Sequence, residues 1–243
     1  VERSGYPLVD DSWIYYNTAK NLAEGKGYSF TTTDVPKELP EYLKPSGMPN
    51  TYFQNFYPPL YSSFLSVLYR IFGMNILVHA VSQIILGTIS CYFVYVIAKE
   101  AFSVKVGLLA CFLLAIYHPL VWWTSYIRSE NLFIPLQLLT IIFLIRAIKN
   151  NLDTKNIVLS GVSLAVSCLC RTAALYLPVF IVFFFIITFF RKDRKRLVCG
   201  ITIFLVSFYV SLLPWAYRNY NIYNKFAITT SDAWATFYSC NVT

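Results

Sequence analysis

A few short stretches of this 243-residue chain hold side chains that could move a proton or hold an anion. Two adjacent carboxylates, Asp10 and Asp11, stand just before a helical pattern. A carboxylate serves as general base when it lies within hydrogen-bond reach of the hydroxyl or amine it deprotonates. The same pair has a plainer use, because Asp at a helix start accepts backbone N–H bonds and meets the positive end of the dipole. Glu130 opens an apolar run beside Ser129 and reads from local sequence as a capping acid, with Arg128 as a nearby partner. Arg171 sits between two apolar runs. A charge placed there faces a cavity or snorkels to the interface, and in a cavity its guanidinium can hold a phosphate with two parallel hydrogen bonds. Arg218, after Pro214-Trp215, has the same two readings. The aromatic wealth of 50–61 suits a sugar site and suits interfacial anchoring equally.

Metal and thiol chemistry find less footing. His79 and His118 have no second His or carboxylate at ligand spacing, so packing or interface roles fit them better. Cys168-x-Cys170 has neither a zinc nor a thioredoxin spacing. Five of the six cysteines lie in or beside apolar runs and read as small lipid- or helix-facing residues. Asn241-Val242-Thr243 forms a sequon, a three-residue match only.

The elements that must position these residues are membrane helices. Only 13% of residues are charged, against about 25% in soluble domains. The apolar runs also exceed the roughly 20 residues that cross a bilayer. The gaps 99–105, 146–156 and 191–196 hold ten basic residues against three acidic ones, nearly all of the net charge of +8. That is the positive-inside pattern and makes these gaps cytoplasmic. It also excludes a nucleic-acid groove, which needs basic residues gathered on one soluble surface.

Residues 1–74 then form a first extracytoplasmic loop with two surface helices. The first, over 11–24, places Tyr15, Ala19 and Leu22 on one face and is stopped by Gly25 and Gly27. The second opens at Pro58-Pro59 and repeats Leu60, Phe64, Leu68 and Phe72 every four residues. A bundle of about six spans follows over 75–215: 75–98, 106–123 up to the His118-Pro119 break, 130–148, two short spans from 157–190 split near Arg171, and 197–215. Residues 216–243 begin another extracytoplasmic loop. The chain opens without a signal peptide or first anchor, as an N-terminal-half fragment lacking its first transmembrane helix would.

Several segments carry a resemblance. DSWIYYNTAKNLAEGKGYSF (11–30) resembles the first extracytoplasmic loop of the family 39-type lipid-linked sugar transferases. These membrane glycosyltransferases include protein O-mannosyltransferases and the lipid A aminoarabinose transferase. Asp11, Tyr15, Ala19, Asn21, Leu22, Gly25, Gly27 and Tyr28 fill the family pattern. YPPLYSSFLSVLYRIFG (57–73), SYIRSENLFIPLQLL (125–139), SGVSLAVSCLCRTAALYLP (160–178) and LPWAYRNYNIYNKFAITTS (213–231) resemble later family segments, in family order. The chain departs from the pattern at Ser12, where many relatives carry a second acid, at Ser163, at Thr172 and at Asn224.

The resemblance implies an all-α polytopic fold of GT-C type and transfer of a sugar from a polyprenyl-phosphate donor. The acceptor would be a glycan, lipid or protein on the outer face of the plasma membrane, and the anomeric centre would invert. It makes Asp11 the base, with Asp10 beside it. Tyr15, Tyr57 and Glu130 line the substrate, and Arg171 and Arg218 offset charge on the departing phosphate. No cofactor is implied, and a need for a divalent metal stays open. The reading from a different class is a transporter or flippase for a lipid-linked or anionic solute, which intramembrane Arg171 also suits.

Overall fold

The structure is a computed structural model that describes residues 11–31, 51–53, 57–190, 193–224 and 227–230. In chain order the elements are α1 (Asp11–Ala23), β1 (Ser29–Thr31), β2 (Thr51–Phe53), α2 (Pro59–Phe72), α3 (Ile76–Ala101), α4 (Val104–Ala115), α5 (His118–Trp123), α6 (Glu130–Lys149) and α7 (Thr154–Cys168). A 3-10 turn (Thr172–Tyr176) leads into α8 (Leu177–Phe189), and α9 (Arg194–Tyr223) follows. Apart from the short antiparallel pair β1–β2, which aligns Phe30 with Tyr52, the described chain is helical. This is an all-α polytopic membrane protein. Among the described residues four segments are long and apolar enough to cross a bilayer: α3, α6, the 3-10 turn with α8, and α9. Helices α4 and α7 are apolar but only 12 and 15 residues long.

Polar residues mark the helix ends. Asn75 Oδ1 accepts from Leu77 N at 2.9 Å at the start of α3. Asp153 and Asp193 cap α7 and α9 through Asn156 N and Arg196 N, each at 3.1 Å. Helix α1 ends as expected, at Gly25 and Gly27 with φ of 80° and 78°, a region that a Cβ disfavours. At the end of α9, Asn224 is left-handed and its N–H bonds Tyr220 O. The departure from glycine at this position is therefore tolerable, since Asn is the second residue that accepts this C-cap geometry.

Two hairpins form the bundle. Helix α3 returns through α4, where a Cβ on Gly107 would meet Tyr95 O at 2.9 Å. Helix α6 returns through α7, and α7 packs on α9. The latter contact is closer still: a Cβ on Gly161 would lie 2.0 Å from Ser207 Oγ and 2.8 Å from Phe204 O. Helices α3 and α6 run parallel in a constant register. Arg146 bonds Glu100 at one end, and His79 Nε2 donates to Tyr126 O at the other, offsets of 46 and 47 residues. The main core lies between α6, α7, α8 and α9 and includes Leu164, Phe185, Phe204 and Phe208. A second cluster joins α1 and α2 to Ile127 and Cys170.

Helix α2 packs into the protein along one face, and two expected helix extents are corrected. The face of α2 that turns inward carries Tyr61, Leu65 and Tyr69, with Ser62 and Ser66. Of the expected four-residue repeat, Leu60, Phe64 and Leu68 are partly buried against the same cluster, and only Phe72 is exposed, at 65%. The apolar stretch 106–123 is not one helix, since α5 is separate from α4 at the His118-Pro119 break. Finally, α9 continues through Pro214 to Tyr223 instead of stopping at 215. Proline removes one ladder bond, which membrane helices tolerate when neighbouring groups satisfy the freed carbonyl.

Candidate functional site

The Arg171 end of the bundle gathers most of the singled-out residues. Helix α1 supplies Tyr15, which is 4% exposed. Its ring packs against Tyr57 and Tyr61, both at 4.9 Å between centroids. Its hydroxyl donates to Ser129 Oγ at 3.2 Å. Ser129 stands at the N-cap of α6 but makes no side-chain cap bond. Its oxygen also accepts from Arg171 Nη1 at 3.3 Å. The same Nη1 lies 2.6 Å from Glu130 Oε1.

Arg171 can reach this position because α7 ends at Cys168 and the chain turns there. The turn is fixed from outside. Leu60 N, one of the unpaired donors of the first turn of α2, bonds Leu169 O at 2.8 Å. That bond joins an orphan donor of one helix to the carbonyl end of another. Cys170 Sγ contacts Ser129 O at 3.5 Å. Glu130 therefore pairs with Arg171, 41 residues away, and not with Arg128, whose guanidinium lies 4.4 Å above the Trp123 ring. Both contacts of Arg171 use Nη1, and Nε and Nη2 make none among the described residues. With the side chain 39% exposed, that edge of the guanidinium remains open to a ligand.

Arg218 joins the site indirectly. It stacks over Trp215 at 4.5 Å and Tyr28 at 5.4 Å. It also donates to Asn219 Oδ1 at 3.1 Å and to Tyr28 O at 3.4 Å. The Tyr28 hydroxyl lies 3.0 Å from Tyr57 O and 3.1 Å from Pro58 O. One connected path thus runs from α9 through Tyr28, Tyr57 and Tyr15 to Ser129, Arg171 and Glu130. Asp10 lies outside the described residues, as do the sequon and the side chain of Asp11. The backbone places Asp11 at the first residue of α1, about 6 Å along the helix axis from Tyr15.

Sequence reasoning missed a buried network behind Tyr15. Gln83 Nε2 donates to the Tyr61 hydroxyl at 3.0 Å. Burial holds the Tyr61 phenol well above its ordinary pKa, so it stays protonated and keeps its own hydrogen to donate. The fully buried Ser129 was also seen only as a neighbour of Glu130. A Ser before a Glu is a familiar cap signal and hid the bond across the bundle.

A sequence model described as dolichyl-phosphate-mannose-protein mannosyltransferase matches residues 57–215, well over half of the chain. Comparison with curated proteins returned no match, and comparison with solved structures returned none either.

Proposed function

Because the chain belongs to the dolichyl-phosphate-mannose-protein mannosyltransferase family, we propose that it transfers a sugar from a polyprenyl-phosphate to an acceptor on the extracytoplasmic side. The family makes it a membrane glycosyltransferase of GT-C type with a polyprenyl-phosphate sugar donor. A transporter or flippase, the alternative raised by Arg171, is not the activity of that family.

The observation that carries the proposal is the half-exposed Arg171, held by Glu130 and Ser129 with one guanidinium edge open. In this reading the Nε–Nη2 edge takes the donor phosphate. The acceptor hydroxyl or amine attacks the anomeric carbon, and its proton passes to Asp11. The bond from that carbon to the phosphate oxygen breaks, and polyprenyl phosphate leaves with the charge that Arg171 offsets. A single displacement inverts the centre. Arg218 holds the Tyr28 loop against α9 and adds positive charge behind it. Tyr57, partly exposed and packed against the buried Tyr15, offers an aromatic ring on which a sugar can rest.

Asp11→Asn tests the base. Asparagine keeps the size and can still cap α1, so stability should change by no more than about 1 kcal/mol. Turnover in membranes supplied with defined polyprenyl-phosphate sugars should fall by about 10² to 10⁴. Asp10→Asn should cost less. Full activity in the double variant would remove this loop from the chemistry.

A further inference from the structure

The end of the bundle opposite Arg171 holds a cavity that the transfer reaction does not use. It measures about 350 Å³ and lies between the α6–α7 turn and the second turn of α9. Asn150, Asn151 and Thr154 form its polar rim, and Leu152, Cys199 and Ile203 its apolar wall. The three rim residues are exposed, and their side chains make no hydrogen bond among the described residues.

The turn has an unusual backbone, with Asn151 and Leu152 both left-handed at φ of 52° and 60°. The N–H groups of these two residues are already used, since Asn151 N bonds Ile148 O and Leu152 N bonds Ala147 O. Their recognition of a ligand falls to side chains. Arg196 lines the cavity, 63% exposed, and only its Nε approaches a carboxylate, Asp193 at 3.4 Å. Its two terminal nitrogens contact nothing among the described residues. The acid in the lining, Asp153, has both oxygens occupied by Asn156. Lys155, Arg194 and Lys195 stand nearby in sequence on the same helix starts and raise the local positive charge.

The geometry points to a site for the phosphodiester headgroup of an anionic lipid. Arginine terminal nitrogens fit phosphate oxygens in a fork, and the free amides and hydroxyl on the rim suit a polyol headgroup. A lipid is favoured over a soluble phosphate because the apolar wall continues onto a lipid-facing flank. Val198 beside it is 64% exposed and Cys199 is exposed. The positive-inside rule assigns this end to the cytoplasmic leaflet, where anionic lipids gather. The inference does not depend on the transfer reading.

The test titrates the purified full-length protein, in neutral detergent, with short-chain phosphatidylglycerol, with phosphatidylcholine and with inorganic phosphate. Bound adducts are counted by native mass spectrometry. Phosphatidylglycerol should saturate one site that phosphatidylcholine does not fill. Arg196→Gln should weaken it roughly fivefold or more, the scale of one basic residue at a membrane surface. Cys199→Phe should also weaken it, by filling the cavity with all charges kept, and guards against misfolding as the cause. Arg194→Gln removes the same charge from a side chain that stacks on Phe190 and should leave the affinity within about twofold. Equal losses in the Arg194 and Arg196 variants would mean diffuse attraction and overturn the site. So would equal binding of phosphatidylcholine. Displacement of the lipid by inorganic phosphate at matching concentration would overturn the lipid assignment.

Discussion

Replacing Arg171 by Lys separates the shape of the guanidinium from its charge. Nη1 makes both observed contacts, to Glu130 at 2.6 Å and to Ser129 at 3.3 Å. An ammonium can keep the first, because one point donor suffices. It has no counterpart to the open Nε–Nη2 edge. A hydrogen bond to a charged group is worth about 1.5–3 kcal/mol. Losing one of two to the donor phosphate should raise donor KM by about 10- to 150-fold. Folding should hardly notice. The Arg171 and Glu130 side chains are 39% and 25% exposed, and an ion pair that wet contributes about 0–1 kcal/mol. The assay measures initial rates against donor concentration in membranes, together with the melting temperature of the purified variant. An unchanged donor KM in a folded Arg171→Lys protein would refute the argument and leave Arg171 as a snorkelling residue.

Three further outcomes are expected. Tyr15→Phe keeps the ring contacts but removes the bond to Ser129, so stability should fall by about 1 kcal/mol while donor use weakens through the misplaced Arg171. Gly161→Val forces α7 from α9, where even a Cβ would meet the backbone of Phe204 at 2.8 Å; overpacking of about 1–3 kcal/mol should lower the melting temperature, and an unchanged melt would contradict the close approach. Cysteines placed at Lys26 and Lys195, both exposed, should label from outside and from inside respectively with an impermeant reagent. Labelling of both from one side would break the topology on which the site assignment rests.

Local features were legible in the sequence and long-range ones were not. The span of α1, its glycine stop and the break at Arg171 each follow from residues within a few positions. The partners of α2 were not readable, because the apolar period is the same whether a stripe meets protein or lipid. The helix through Pro214 was missed because proline reads as a boundary unless neighbours satisfy the freed carbonyl. At the site, the resemblance singled out Tyr15, Tyr57, Glu130 and Arg171, and the fold places these four side by side. Their pairing was not readable. Glu130 finds Arg171 only because the Leu60–Leu169 bond and the turn after α7 bring it there. Nothing in the spacing of 125–139 distinguishes that partner from Arg128.

The manner in which α1 is attached has a consequence for how the protein fails. Its inner face packs on α2, and Arg70 of α2 donates to Leu22 O and Ala23 O, tying down its last carbonyls. Among the described residues it reaches the rest of the bundle through the bond from Tyr15 to Ser129 and through the apolar contacts that its cluster makes with Ile127 and Cys170. Segments held at the margin of a fold open in sub-global events well below the free energy of full unfolding. Amides of 12–23 should therefore exchange with deuterium faster than those of α7 and α9. Activity should disappear on heating before the bundle melts and return on cooling, as a reversible detachment of the helix that carries the proposed base.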